Sequence, residues 1–287
     1  MPDDNDEILY HYCSIEAFHS IIENKSIWLS LASQSNDSME GKMLSCMLEN
    51  KLKKLPPVDM ESSSKYDKKL VSEIKSISQA KEVVCFFEEM QYGLIFSLSE
   101  EKDLLSQWRA YTNDGTGISI GFSKKRLQEE LKKHNEESNL EEKIEAKLSR
   151  AHYEDPYDDE TIDSYVSKLK NLSDENPIIE YMKQNYYILK NSSFSEEKEW
   201  RILATVKAHH LNQCKKEVLF RTRNQQLTPY ITMKLHNPEN LIKKIVLGPK
   251  NKTPIRIIEH LLIREGFLKT HEVEENSLVT FSKAPYQ

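Results

Sequence analysis

Short runs of apolar residues near the N-terminus predict two strands separated by a helix. Residues 8–14 (ILYHYCS) are rich in β-branched and aromatic side chains, a composition typical of a strand. Ser14 can cap the helix that follows, because a serine hydroxyl accepts a hydrogen bond from the first helical turn. The apolar face of that helix carries Ile15, Phe18, Ile21 and Ile22. Residues 27–30 (IWLS) then predict the second strand.

Helical spacing of apolar residues dominates the middle of the chain. It predicts a helix around Met43–Leu48 and further helices at 66–89, 104–111, 124–133, 159–171 and 177–190. Strand patterns between them lie at 92–101 and 148–155, and residues 112–122 predict a glycine-containing turn that leads into a strand. These segments predict helical insertions at about 42–90 and 124–192.

The last third of the chain has the pattern of a sheet. Strand-like runs occupy 199–207, 217–223, 229–235, 242–249 and 277–283, and a helix is predicted at 253–266. Helices therefore concentrate in the N-terminal two-thirds, and strands cluster after them without βαβ alternation. This order predicts an α+β fold with a largely antiparallel sheet, in a single domain spanning residues 1–287.

Composition narrows the class of protein. The chain carries a net charge of −6, so it has no overall basic surface for nucleic acid. The N-terminus lacks an apolar signal segment, and no stretch approaches the roughly 18 apolar residues of a membrane span. The four cysteines are widely spaced, without a zinc-type pattern: Cys13, Cys46, Cys85 and Cys214. We therefore expect a cytoplasmic protein with no membrane association and no metal site.

A glycine-rich stretch at 115–121 (GTGISIG) invites a nucleotide-binding interpretation. A dinucleotide fingerprint requires a strand, then the glycines, then a helix whose N-terminus meets the pyrophosphate. Here the predicted order is helix, glycines, strand. The pattern favours a tight turn into a strand instead.

Three other segments carry candidate chemistry. Strand alternation puts Tyr10 and Tyr12 on one face and His11 on the other. In QWRAY (107–111), Trp108 and Tyr111 share a helix face, either as core anchors or as a stacking platform beside Arg109.

The third segment, SFSEEKEWRIL (193–203), crowds three glutamates before an apolar run. Strand alternation places Glu199 and Arg201 on one face. Burying an unpaired carboxylate costs several kcal/mol. Glu199 must therefore be exposed, paired with Arg201, or part of a site, whereas Glu196 is expected to be solvated.

Four ordered motifs resemble a widespread bacterial family of unknown function. They are LYHYCS, SIWLS followed by NDSMEG, FSLSEEKDLLSQWRAYTNDGTGISIGF, and EEKEWRI. The family pattern is roughly LYHYTS, LWLS with NDPxEG, FSxS with LWxxY and GxGxxIGF, and EExEWR. This chain departs from it at Cys13, where threonine is usual, and at Ser38-Met39, where the loop usually has a proline.

A weaker resemblance is to ADP-ribosyltransferases of the His-Tyr-Glu type, which have a split β-sheet. It rests on His11, the aromatic pair Trp108 and Tyr111, and Glu197-x-Glu199, in that order. The resemblance implies that NAD is the substrate and that the nicotinamide–ribose bond is cleaved, with Glu199, His11 and Glu197 as catalytic residues. It also implies NAD-binding roles for Tyr12, Asn36, Asp37, Trp108, Arg109, Tyr111 and Arg201. The acceptor would be a protein or a nucleic acid, in a bacterial toxin or an antiviral defence effector.

Two alternatives stay open. The departures at Cys13 and in the NDSMEG loop favour a non-enzymatic module that senses a ligand or binds a partner. A metal-dependent enzyme that processes nucleic acid would use Asp37, Glu40, Glu197 and Glu199 as ligands.

Overall fold

The computed structural model of the protein describes residues 6–34, 39–57, 64–137, 144–171, 175–213, 217–223, 225–270 and 278–286. The helices are α1 (Ile15–Asn24), α2 (Met43–Lys54), α3 (Lys65–Met90), α4 (Leu105–Tyr111), α5 (Lys124–Glu137), α6 (Asp159–Asn171), α7 (Glu175–Asn185), α8 (His210–Gln213) and α9 (Ile255–Arg264). The strands are β1 (Ile8–Cys13), β2 (Ser26–Leu31), β3 (Gln91–Ser99), β4 (Ile118–Ser123), β5 (Ala146–Arg150), β6 (His152–Glu154), β7 (Leu189–Asn191), β8 (Glu199–Lys207), β9 (Leu219–Arg223), β10 (Gln226–Lys234), β11 (Ile242–Leu247) and β12 (Val279–Phe281).

The large sheet is mostly antiparallel, which confirms the predicted fold class. Its strands follow the order β12-β11-β4-β1-β3-β2-β10-β9, with β8 along the other edge of β3 and β5 outside β8. Only the β11–β12 pair in this sheet is parallel among the described strands. Strands β6 and β7 form a separate parallel pair. Most of the helices precede the C-terminal strands, as predicted.

One edge of β3 is shared by two strands that diverge from each other. Strand β1 pairs with β3 at Tyr10 and Ser99, and β2 pairs with it where Ser30 meets Ile95. In the described residues, the β3 edge at 96–98 has no strand partner on this side. The sheet is split at this point, and α1 connects the two diverging strands. Ser14 caps α1 as predicted, since its hydroxyl accepts a hydrogen bond from the Ala17 amide at 3.2 Å.

The two faces of the sheet bury different sets of apolar side chains. Alternation along β3 directs Phe96 into one core, where α1, α5 and α9 pack, and Ile95 into another, where α2, α3, α6 and α7 pack. Strand β8 alternates in the same way, with Ile202 in the first core and Leu203 in the second. Within the described ranges, no helix combines the length and the apolar character that a membrane crossing requires.

Two predicted elements differ from their sequence patterns: one ends earlier, and the other is divided into two strands. The helix predicted at 177–190 ends at Asn185, because the chain enters a 3-10 turn at 186–188 and then pairs with β6 as β7. The strand predicted at 148–155 divides at Ala151, whose amide donates to the Glu199 carbonyl at 2.8 Å. Both changes come from pairing between segments distant in the sequence, which helical or strand periodicity does not report.

Candidate functional site

A cavity of about 600 Å³ occupies the split in the sheet. This volume is within the range of roughly 300–1,000 Å³ typical of small-molecule sites. Its walls come from β1, the first turns of α1, β2, the unpaired edge of β3, and α4. The predicted site residues that line it are His11, Tyr12, Tyr111, Glu197 and Glu199.

Glu197 and Glu199 reach the cavity through an abrupt change of backbone direction. Glu197 ends a 3-10 turn that begins at Ser192, and Lys198 then adopts a left-handed conformation with φ 42°. Glu199 begins β8 immediately afterwards. Its amide donates to the Tyr153 hydroxyl at 2.7 Å, while the Ser99 hydroxyl donates to the Glu197 carbonyl at 2.6 Å. These two hydrogen bonds fix the backbone on both sides of Lys198, and the positions of the two carboxylates follow from that.

Arg201 holds Glu199 in a bidentate ion pair. Its Nε donates to Glu199 Oε1 at 3.1 Å, and its Nη2 donates to Oε2 at 2.9 Å. The guanidinium also contacts the Glu40 carboxylate and donates to the Tyr187 carbonyl at 2.6 Å. Arg201 is fully buried by these partners. It therefore positions Glu199 from behind, and it is not among the residues that line the cavity.

Lys190 joins the two glutamates. Its ammonium donates to Glu199 Oε2 at 2.6 Å and to Glu197 Oε2. Lys190 lies on β7, in the segment predicted as the end of a helix, and sequence reasoning missed it for that reason. The result is a buried chain of charges in the order Glu40, Arg201, Glu199, Lys190, Glu197.

These ion pairs keep the cluster charged despite its burial. Burial by itself raises the pKa of Glu199, but Arg201 and Lys190 outweigh it and hold the pKa at about 2. Burial likewise favours neutral Lys190, but Glu199 and the other anionic partners raise its pKa above the ordinary value. Glu199 is therefore a carboxylate, and Lys190 an ammonium, at neutral pH.

His11 enters the cavity from the face of the sheet opposite to that of Glu199. Its Nδ1 lies 2.8 Å from the Ser97 carbonyl oxygen on the unpaired edge of β3, and its ring stacks on Phe96 with centroids 4.0 Å apart. A carbonyl oxygen can only accept, so the proton lies on Nδ1. In the neutral ring Nε2 is then an acceptor.

Of the predicted aromatic pair, only Tyr111 faces the cavity. Its hydroxyl donates to Glu197 Oε1 at 3.3 Å, and burial raises its pKa, so the hydroxyl stays protonated. Trp108 is fully buried, and its indole Nε1 donates to Asp103 at 2.7 Å. The Trp108 ring packs edge-on against Tyr12 at 4.8 Å. Trp108 thus supports the cavity wall and does not line it.

Tyr12 lines the cavity with its hydroxyl already bonded to the backbone. That hydroxyl donates to the Glu101 carbonyl at 2.7 Å and accepts from the Leu104 amide at 2.9 Å. Arg109 is exposed on α4, beside the Tyr286 ring, and is outside the cavity lining. Asn36 and Asp37 lie outside the described residues.

Sequence reasoning also missed Arg221 and Trp28, which line the cavity away from the glutamates. The Arg221 guanidinium lies 4.9 Å from the centroid of the Trp28 ring. Arg221 lies in the strand pattern FRTR, and Trp28 lies in the strand pattern IWLS. Their meeting depends on β10, which pairs with β2 on one edge and with β9 on the other.

Of the four carboxylates that a metal-dependent enzyme would use, the three that the structure describes are engaged by cations of the protein. Glu40, Glu197 and Glu199 all contact Lys190 or Arg201. Among the described residues there is no group of three or more His, Cys, Asp or Glu side chains arranged to hold a metal ion.

Residues 107–202 match the model of a family described as "Protein of unknown function (DUF2971)". The resemblance to a family of unknown function, predicted from the ordered motifs, is thus confirmed for this segment. It runs from α4 into β8 and contains Tyr111, Lys190, Glu197, Glu199 and Arg201. No curated protein and no solved structure matches the chain. The family description assigns no activity.

Proposed function

We propose that the protein is an ADP-ribosyltransferase-like enzyme that binds NAD in the split of the sheet and cleaves its nicotinamide–ribose bond. The observation that carries the proposal is that one cavity is lined by His11 from β1, Tyr111 from α4, and the Glu197–Glu199 pair before and at the start of β8.

The charge of the site fits the charge that this reaction develops. When the C–N bond breaks, its electron pair leaves with nicotinamide, and the ribose becomes oxocarbenium-like. The acceptor's lone pair then bonds to the ribose carbon, and the acceptor loses its proton to solvent. Ionised carboxylates stabilise that cationic ribose in the transition state. With three carboxylates and two cations, the cluster keeps a net negative charge.

The individual residues would have distinct roles. Glu197 would face the ribose, because its Oε1 is held only by the long 3.3 Å bond from Tyr111, whereas both oxygens of Glu199 are held by Arg201. Glu199 would supply fixed negative charge. His11 Nε2 would accept from a ribose hydroxyl, and the Tyr111 ring would pack against nicotinamide.

A non-enzymatic ligand-sensing module is the second candidate. The observation that favours it is the saturation of Glu199 by Arg201 and Lys190, which weakens the field that this carboxylate offers a substrate. Under either proposal we place the protein in the cytoplasm, with a protein or nucleic-acid acceptor for the enzyme. A role as a toxin or an antiviral defence effector stays a prediction.

Nicotinamide release from NAD, with cell lysate as the source of acceptors, tests the proposal. We expect release by the wild type and a loss of roughly 100-fold or more in Glu197→Gln. Glu196→Gln is the matched control, since Glu196 is exposed in the same motif and its variant should retain full activity. Glu199→Gln also breaks the pair with buried Arg201, so its melting temperature must be measured alongside. NAD binding without release would support the sensing module. Neither binding nor release would exclude the transferase and any module that senses NAD.

A further inference from the structure

The cavity has a second polar end, built around Arg221 of β9. The Arg221 guanidinium lies over the Trp28 ring at 4.9 Å and near the Tyr230 ring at 5.7 Å. Its Nη2 donates to the Ser30 hydroxyl at 2.8 Å. Trp28 and Tyr230 contact each other with centroids 4.7 Å apart. A guanidinium held against two aromatic rings and a hydroxyl is already oriented before any ligand binds.

This end and the glutamates lie at different positions along β3. The Arg221 guanidinium bonds to Ser30 of β2, which pairs with Ile95 of β3, whereas Glu199 pairs with Ser99, four residues or roughly 13 Å further along β3. Glu199 begins β8, on the opposite edge of β3. A ligand that reaches both ends must be extended, and it meets negative charge at one end and a cation at the other.

We propose that Arg221, with Trp28 and the hydroxyls of Ser26 and Ser30, binds the diphosphate group of a nucleoside diphosphate. The planar fork of N–H donors on a guanidinium matches phosphate oxygens in a bidentate manner. Ser26 and Ser30 are buried hydroxyls on the same cavity wall. The net negative charge of the glutamate cluster disfavours phosphate there, which assigns the anionic part of the ligand to the Arg221 end.

The inference rests on the proposed function only for the orientation of NAD. The cationic nicotinamide would face Glu197, and the diphosphate would contact Arg221. Diphosphate recognition itself requires no transfer reaction, so the two proposals can fail separately.

Isothermal titration of the full chain with ADP, adenosine, inorganic pyrophosphate and NAD tests the site. We expect ADP, pyrophosphate and NAD to bind the wild type, and Arg221→Met to weaken each by roughly 10- to 100-fold. Arg221→Lys should give intermediate affinity, because it keeps the charge and loses the planar fork. Arg256→Met is the matched control: Arg256 is exposed on α9, outside the cavity lining, and its variant should bind as the wild type does.

Two titration results would overturn the proposed diphosphate site. Equal ADP affinity in Arg221→Met and the wild type, or no ADP binding to the wild type, would do so. Adenosine binding as tightly as ADP would show recognition of the base instead of the phosphates. Arg221-dependent ADP binding without nicotinamide release would support the diphosphate site and exclude the transferase. NAD turnover with an unchanged KM in Arg221→Met would support the transferase and exclude the diphosphate site.

Discussion

The Lys190 ammonium donates to Glu199 Oε2 at 2.6 Å and also contacts the carboxylate of Glu197. The two glutamates of the acidic motif are thus joined by one buried cation, and Arg201 extends the chain of charges to Glu40. Removing one member of such a chain leaves a neighbour buried without its partner.

Replacing Lys190 with methionine should destabilise the protein strongly. Glu197 and Glu199 would lose the cation between them while remaining buried, and we expect the free energy of unfolding to fall by about 3–5 kcal/mol. Urea unfolding followed by circular dichroism measures this change. Lys198→Met is the control, because Lys198 is exposed and, among the described residues, forms an ion pair only with Glu101. The midpoint of urea unfolding of this variant should barely change. Equal midpoints for the two variants would contradict the buried ion-pair chain.

Acid should weaken the fold through Glu199. Its pKa is about 2 in the folded protein, against an ordinary value of 4.5. A carboxyl whose pKa is lowered by folding stabilises the protein above its unfolded pKa, and that contribution is lost as pH falls through the folded pKa. We expect the free energy of unfolding to fall between pH 4.5 and pH 2, and to fall less steeply in Glu199→Gln. The same slope in both proteins would show that other carboxyls account for the acid sensitivity.

Two amide substitutions at His11 should separate the roles of its ring nitrogens. Asparagine can keep the hydrogen bond that Nδ1 donates to the Ser97 carbonyl, whereas glutamine extends toward the position of Nε2. If Nε2 contacts the ligand, His11→Gln should retain more nicotinamide release than His11→Asn, at similar melting temperatures. The opposite ranking would indicate that His11 serves the backbone of β3 and not the ligand.

Trp108 and Tyr111 should respond differently to conservative substitution. Trp108→Phe removes the donor to Asp103 from a fully buried site, so we expect a loss of about 1–3 kcal/mol of stability with unchanged NAD affinity. Tyr111→Phe removes the hydroxyl that contacts Glu197 at the cavity and should reduce nicotinamide release. Thermal melts and turnover on both variants check the prediction. Reduced NAD affinity in folded Trp108→Phe would restore the stacking role expected from the sequence.

Gly93 should not tolerate even a methyl group. A Cβ at this position would lie 2.4 Å from Cδ1 of Tyr187, whose carbonyl accepts from Arg201. We expect Gly93→Ala to cost about 1–3 kcal/mol through overpacking. In a Tyr187→Leu background the same substitution should cost much less, since the contacting ring is gone; additive effects in this double-mutant cycle would exclude the contact as the cause.

Much of the local structure could be predicted from periodicity. Alternation correctly placed Tyr10 and Tyr12 opposite His11, and Glu199 beside Arg201, because strand side chains alternate with a period of two residues. Helix α3, predicted at 66–89, spans Lys65–Met90, and Ser64 caps it. The ordered motifs also identified His11, Tyr111, Glu197 and Glu199, which line one cavity.

The sequence by itself thus determined the fold class, most of the elements and the faces on which candidate side chains lie, since these depend on neighbours within a few residues. Only the tertiary structure decided that Arg201 is enclosed by Glu199 and Glu40. It also decided that Trp108 is buried behind Tyr12. Finally, it decided that Lys190 and Arg221 belong to the site. Those arrangements depend on which strand edges meet and in which register. Such pairing joins segments more than a hundred residues apart, as in Arg221 and Ser30, and no local pattern reports it.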